Sequence, residues 1–360
     1  MRAAVSRTFG APLVIEDVSI AVPGPTDVLV DIAACAICHS DVSYMDGAWG
    51  GHLPMIFGHE ASGIVSDVGA DVTDLARGDS VVVTLVRSCR TCFFCRAGDQ
   101  PMCETTFRLD REPPLHSADG QEIRQGLRTA AFAEQVLVHR SQVVVVPSEM
   151  PKDVAALLGC GVVTGFGAVN NTARVPPGAS VVVVGVGGVG LNCIQGAVHA
   201  GAQVVVAIDL LDHKLDTARL VGATAAVNAN KQDVATVVAD VTEGRGADYV
   251  FVAAGTASAV EHAMPLMRRA GRLVIVGMPP TGDLASIDTT DLADKGQQIL
   301  GSKMGAVDIA RDIPLLSDLY ETGRLKLDEL ITDRYRLDEI NDAVDSARAG
   351  EAVRNVIVFD

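Results

Sequence analysis

Aromatic side chains are scarce in this chain, with one tryptophan, four tyrosines and nine phenylalanines among 360 residues. Basic side chains are outnumbered, 29 lysines and arginines against 45 acidic residues, for a formal charge of -16. Nucleic acids and anionic membrane surfaces both call for basic surface, and single strands for aromatic platforms as well, so neither is an expected partner. Long apolar runs are missing too. A run such as Val181 to Val184 is far shorter than the ~20 residues a bilayer crossing requires, and a glycine closes it. The opening Met1-Arg2-Ala3-Ala4-Val5-Ser6-Arg7 contains no apolar stretch of signal-peptide length. A soluble, cytoplasmic protein is the expectation. Internal repeats and low-complexity tracts are absent as well.

What is present is an ordered globular composition, 48% hydrophobic and 21% charged with 35 glycines. The length suggests about two domains. Eight cysteines in a reducing compartment read first as ligands, nucleophiles or core fillers, not as disulfides.

Two rhythms divide the chain. Over the first 150 or so residues, short β segments alternate with turns: Leu13 to Ile20, Val28 to Ala34, Ile64 to Val68, Ser80 to Leu85, Gln135 to Val138 and Val143 to Val146. Between Arg87 and Thr129 this pattern dissolves into a cysteine-rich, polar stretch expected to be irregular. From about residue 162, unalternated apolar strands appear at Val181 to Val184, Gln203 to Ile208, Tyr249 to Val252 and Arg272 to Val276. Helix-like segments such as Leu191 to Ala200 and Asp212 to Leu220 separate them. Strands of that kind imply a parallel sheet covered on both faces, an α/β architecture. Helices around Ile313 to Glu321 and Leu337 to Ala349 and a strand Asn355 to Phe359 follow.

Val181 to Val184 runs directly into Gly185-Val186-Gly187-Gly188-Val189-Gly190. Gly185, Gly187 and Gly190 meet the G-x-G-x-x-G spacing, which supplies a tight turn, room for a pyrophosphate and close packing of helix on strand. The helix start offers free N–H groups to phosphate. Asp209 stands 19 residues beyond Gly190 at the end of the next strand. Its carboxylate can accept hydrogen bonds from ribose hydroxyls and repels a 2′-phosphate, and Leu210 and Leu211 offer no compensating cation. NAD is therefore expected over NADP.

Cys89, Cys92, Cys95 and Cys103 form C-x2-C-x2-C-x7-C. Four thiolates so close together suit a closed tetrahedral zinc site that organises a loop. An iron–sulfur cluster is the competing metal, but the seven-residue gap and Glu104 after the last cysteine depart from the ferredoxin run. Either metal would be structural, because four thiolates leave no open position.

Three further candidates lie far apart in Cys38-His39-Ser40-Asp41, Gly58-His59-Glu60 and Gly159-Cys160-Gly161. Taken singly, each cysteine also reads as a core residue and the histidine as a structural group. Nothing local brings the three together. Cys35 and Cys193 read as core, and His116, His139, His199, His213 and His262 lack ligand spacing to one another.

Taken in order, these motifs resemble the zinc-containing medium-chain alcohol dehydrogenases over nearly the whole chain. The resemblance implies two zinc ions per chain and NAD. Cys38, His59 and Cys160 would hold a catalytic zinc, with Ser40 receiving the hydroxyl proton, Asp41 orienting His59 and Glu60 behind the metal. His39 and Arg354 would contact the cofactor pyrophosphate, Thr164 the nicotinamide and Lys214 the adenosine ribose, with Gly188 and Val189 in the cofactor turn. Trp49 and Leu85 resemble apolar pocket positions. Ser43 departs from the pattern, since many members carry a histidine there to end the proton relay. Water then ends it, or His52 substitutes.

The implied fold is a Rossmann doubly wound sheet of six strands plus a GroES-like β-barrel catalytic domain. The catalytic domain would use residues 1–161 and 304–360, with a zinc lobe at 87–104, and the cofactor domain 162–303. A homodimer through the sheet edges near Arg272 to Val276 and Gln298 to Ser302 is expected, or a homotetramer. The implied reaction is reversible oxidation of a primary or secondary alcohol. The rivals are a thiol-adduct formaldehyde dehydrogenase using Arg108, Arg111, Arg124 and Arg128 for an anionic tail, a polyol or amino-alcohol dehydrogenase, a zinc-ribbon nucleic-acid binder, and a zinc and nucleotide binder without turnover.

Overall fold

The computed structural model describes residues 1–359, which fall into two compact units. One comprises Met1–Gly161 and the chain from Asp308 onward; the other is the contiguous Val162–Val307. Met304–Ala306 belongs with the contiguous unit, four residues later than the expected return at 304. The reason is local: a Cβ on Gly305 would stand 2.5 Å from the Val163 carbonyl and 2.7 Å from that of Thr164, so the turn is seated on that helix.

In the first unit, strands Arg2–Ser6, Val14–Ile20, Leu115–Ser117, Glu122–Gln125 and Met55–Ile56 close a small barrel. A seven-stranded sheet runs in the order Val143–Val145, Ser80–Thr84, Glu60–Val68, Asp27–Ala36, Arg354–Val358, Ile331–Arg336, and Gln135–His139 also pairs with Asp27–Ala36. Valines alternate inward along these strands, and Val28, Val30, Val65, Val81, Val83, Val136 and Val138 meet Phe57 and Phe132 in one core. Each buried valine contributes on the order of 1.5–3 kcal/mol. Leu115–Ser117 and Glu122–Gln125 lie inside the stretch expected to be irregular. Their three and four residues are too short for alternation to be read, and pairing with Val14–Ile20 and Met55–Ile56 is what makes them strands.

The second unit carries six parallel strands in the order Ala225–Asn228, Val204–Asp209, Ser180–Val184, Ala247–Val252, Met267–Ile275, Gln298–Gly301. The order reverses between Ser180–Val184 and Ala247–Val252, the point at which a doubly wound sheet binds its ligand. Ser180–Val184 lies mid-sheet, which is why its valines need no polar alternation.

Helical turns run without a break from Lys152 to Ala173. This segment is long and apolar enough by composition to cross a membrane, and 89% of its apolar window is buried, as in a core helix. Among the described residues no other helix meets that length and hydropathy. Two parts of it, Leu158–Val162 and Ala168–Ala173, are π turns.

Candidate functional site

Cys38, His59 and Cys160 arrive from three elements. Cys38 follows strand Asp27–Ala36 and caps the short helix His39–Met45. His59 precedes strand Glu60–Val68, directly after Gly58 at a φ of 89°. Cys160 sits in the π turn Leu158–Val162, where one extra residue per turn redirects a side chain. Gly159 makes that approach possible: a Cβ there would stand 2.9 Å from both the Glu60 Cα and the Val83 carbonyl oxygen.

The donor atoms of Cys38, His59, Cys160 and Glu60 all lie within 4.8 Å of one another, and all four residues are buried. His59 Nδ1 is 2.9 Å from Asp41 Oδ1. That oxygen also accepts the Gly58 N–H at 3.0 Å, and Asp41 Oδ2 accepts the Cys38 N–H at 3.2 Å. With Nδ1 so engaged, His59 Nε2 is left buried with no hydrogen-bond partner, as is Glu60 Oε1. Two thiols and an imidazole nitrogen, one of them an orphaned buried atom, are the donor set zinc prefers. The residues fit that metal.

Charge is compressed here. The neighbouring Cys160 thiol, followed by His59, holds the Cys38 thiol well below its ordinary range, against burial. Burial pushes Glu60 up to about 8, opposed by Arg354. Arg354 is itself buried and bonds its guanidinium to the Glu60 carboxylate. Arg354, expected from the sequence to contact a pyrophosphate, is bonded to Glu60, and His39 is exposed at the helix start. Ser40, Ser43, Trp49 and Leu85 are half-buried and His52 is exposed. Trp49 stands edge-on to Tyr44 at 6.0 Å, and Tyr44 packs on Phe57 at 5.4 Å.

Cys89, Cys92, Cys95 and Cys103 form the second cluster within the same 4.8 Å limit. Backbone N–H groups point at the sulfurs, from Cys92 to Cys89 at 3.2 Å and from Cys89 to Cys103 at 3.4 Å. Hydrogen bonds from Thr105 and Thr91 bring the Cys89 thiol down to about 5. Four converging sulfurs fit a closed zinc site. Cys35 and Cys193 are buried and belong to neither cluster.

In the second unit, Gly185 turns the chain at a φ of 84°, and Gly188 begins the helix Gly188–His199. The missing Cβ of Gly190 lets that helix close on the Gly185 carbonyl, whereas a Cβ on Gly187 would meet nothing within 4 Å. Open space at a helix start suits a phosphate. Val189 packs its backbone against Gly165. Asp209 accepts the Val186 N–H at 2.8 Å through one oxygen and the Leu210 N–H at 2.7 Å through the other. Lys214 is half-buried in the first turn of helix Asp212–Leu220. Thr164 is buried and donates to Met304 Sδ at 3.5 Å.

Sequence reasoning missed Arg87. An arginine closing the valine-rich run Val81 to Val86, which only Thr84 interrupts, was the available signal, because a cation there must find buried acceptors.

Residues 24–148 match the family model described as alcohol dehydrogenase GroES-like domain, and residues 188–321 match zinc-binding dehydrogenase. The NDMA-dependent alcohol dehydrogenase of Amycolatopsis methanolica is 34% identical, covering 99% of this chain and 98% of its own. The S-(hydroxymethyl)glutathione dehydrogenase of Paracoccus denitrificans is 33% identical, covering 99% of each. The solved structure of benzyl alcohol dehydrogenase from Acinetobacter calcoaceticus superposes with a TM-score of 0.93 at 30% identity, over 100% of this chain and 99% of that one.

Proposed function

This chain belongs to the zinc-dependent medium-chain alcohol dehydrogenases, and from that premise we propose that it oxidises primary or secondary alcohols reversibly, with NAD as hydride acceptor. The observation that carries the reading is the buried convergence of Cys38, His59 and Cys160 with His59 Nε2 left free by Asp41. The chemistry supplied when both groups are bound is Lewis acidity at the hydroxyl oxygen and a hydride acceptor in the nicotinamide ring.

The chain's own residues do the rest. Cys38, His59 and Cys160 would hold the catalytic zinc, and the four lobe cysteines would hold the structural one. Asp41 keeps the proton on His59 Nδ1 and so keeps Nε2 turned toward the thiols. Ser40 Oγ takes the substrate hydroxyl proton and hands it to water, since Ser43 stands where a histidine would extend the relay. Trp49 and Leu85 line an apolar pocket that excludes water. Glu60, neutralised by Arg354, stands behind the ligands. In the second unit Gly185, Gly187, Gly188, Val189 and Gly190 would cradle the pyrophosphate, Asp209 and Lys214 would bind the adenosine ribose, and Thr164 would border the nicotinamide; in the first unit His39 is proposed as a phosphate contact. Arg354 is bonded to Glu60 through one guanidinium nitrogen, which leaves its other donors available for the proposed contact with phosphate.

A homodimer through the sheet edge at Gln298–Gly301, which has a neighbour on one side only, completes the reading. A reducing cytoplasm suits two thiolate metal centres.

The test is reduction of NAD by a panel of primary, secondary and aromatic alcohols, with and without added thiol, alongside metal analysis. Thiol-independent turnover with about two zincs per chain is expected. Turnover only with thiol plus formaldehyde moves the assignment to thiol-adduct oxidation. In that case exposed Arg111, Arg124 and Arg128 are the remaining candidates for an anionic tail, because Arg108 is bonded to Asp27. Two zincs without turnover of NAD or NADP would sink both.

A further inference from the structure

Arg87 lies two residues before the first lobe cysteine and is 2% exposed. Its guanidinium reaches three separate segments. Nε donates to Gln142 Oε1 at 2.7 Å, Nη1 to Asp110 Oδ1 at 2.9 Å and Nη2 to the Arg128 carbonyl at 3.1 Å. The cation also stands 5.6 Å from the centre of the Phe107 ring. Phe107 packs with Cys95 and Cys103, and its own N–H is held by Asp110 at 2.8 Å. One side of Arg87 is therefore the cysteine lobe.

The other side leads to His59. Leu127, Arg128 and Ala130 have φ values of 49°, 62° and 70°, a left-handed conformation that side-chain-bearing residues hold only when their surroundings enforce it. Two buried donors clamp the Arg128 carbonyl, Arg87 and the Gln142 amide at 3.0 Å. Just beyond, Ala131 donates to the Gly58 carbonyl and Phe132 to the Phe57 carbonyl, both at 2.9 Å. Contact is tight enough that a Cβ on Gly58 would stand 2.7 Å from the Phe132 nitrogen. Gly58 immediately precedes His59. The strained stretch is thus the backing of the segment that presents this imidazole.

We propose that Arg87 is a positioning residue for His59, which makes order in the four-cysteine lobe a condition for metal retention at Cys38, His59 and Cys160. The proposal rests on the reading of those three residues as zinc ligands. Its physical content is a chain of contacts: the lobe fixes Asp110 and Phe107, these hold the guanidinium, the guanidinium holds the Arg128 carbonyl, and the left-handed stretch behind Gly58 stays in place. Lysine cannot replace arginine there, because one ammonium cannot serve three diverging acceptors as a planar fork does.

The full-length protein as zinc enzyme, and its cobalt-substituted form, provide the test. Zinc per chain and its release to a chelator are measured for the wild type, Arg87→Met, Arg87→Lys and Gln142→Met. Arg87→Met and Arg87→Lys are expected to release one zinc roughly 10–100 times faster than wild type, the range typical of residues supporting a metal ligand. The other zinc should leave at the wild-type rate. The visible bands of cobalt in the two-thiolate, one-imidazole centre should change while those of the four-thiolate centre persist. Gln142→Met keeps the buried cation and removes one of the two donors to Arg128, so it should show the same effect more weakly even if Arg87→Met fails to fold. Wild-type release and unchanged cobalt bands in a folded Arg87 variant, or in Gln142→Met, overturn the proposal, as does loss confined to the four-thiolate site. A wild type that binds zinc at the four-thiolate site alone instead overturns the reading of the three ligands themselves.

Discussion

Asp41 serves three donors at once: the His59 imidazole, the Gly58 N–H and the Cys38 N–H. One carboxylate thereby fixes the angle of the His59 imidazole and the backbone of Cys38. Asp41→Asn preserves the size but removes the charge and one of the two acceptor oxygens. The expected outcome is roughly 10–100-fold weaker retention of one zinc, the other unaffected, read by chelator competition. Equal retention of both metals would mean that Asp41 does not orient the ligand. At this scale the sequence was legible where spacing is local. The four lobe cysteines and the glycine turn declare their chemistry within a few residues of each other. Cys38, His59 and Cys160 are separated by long stretches of chain, so only resemblance to a family joined them. The pair Glu60–Arg354 spans 294 residues, and Arg87 finds its acceptors 23, 41 and 55 residues away. No periodicity encodes such partners.

Among the elements, strand Val204–Asp209 and the glycine turn share one hinge of specificity. Asp209 braces the turn through the Val186 N–H and also lies where a ribose would be read. Asp209→Asn is expected to weaken NAD by roughly 10–100-fold in kcat/KM, the consequence of losing charge-assisted hydrogen bonds worth about 1.5–3 kcal/mol. The same change should raise the ratio of NADP to NAD activity, because the repulsion of a 2′-phosphate is gone. Initial-rate kinetics with both cofactors decide it, and an unchanged ratio would remove Asp209 from cofactor choice. Most strands of both units were readable from valine-rich runs, because burial on one face or both leaves a plain pattern. Ala225–Asn228 was not, being two alanines, a valine and an asparagine paired only at the sheet's edge. The π turn at Leu158–Val162 was equally hidden: its sequence, Leu-Gly-Cys-Gly-Val, reads as an ordinary apolar helix start, and the glycines reveal their purpose only beside Glu60, Val83 and Arg354.

At the scale of the whole molecule, the unit that carries both cysteine clusters is assembled from two distant stretches of chain, and strand Arg354–Val358 lies inside its sheet between Asp27–Ala36 and Ile331–Arg336. A chain halted after Val307 should therefore protect Val162–Val307 from protease and leave residues 1–161 open to digestion. Limited proteolysis with mass spectrometry checks this, and equal protection of both parts would contradict it. The ribosome imposes the same order. At about 5–20 residues per second, Arg354 is made on the order of ten to forty seconds after Val162. Through that interval Cys38, His59 and Cys160 already exist, while the strand that completes their sheet and the guanidinium that answers Glu60 do not. Newly made chains thus pass through a stage in which the sheet that brings Cys38, His59 and Cys160 together is incomplete and Glu60 has no guanidinium partner, so the buried cluster is finished only when one short strand arrives.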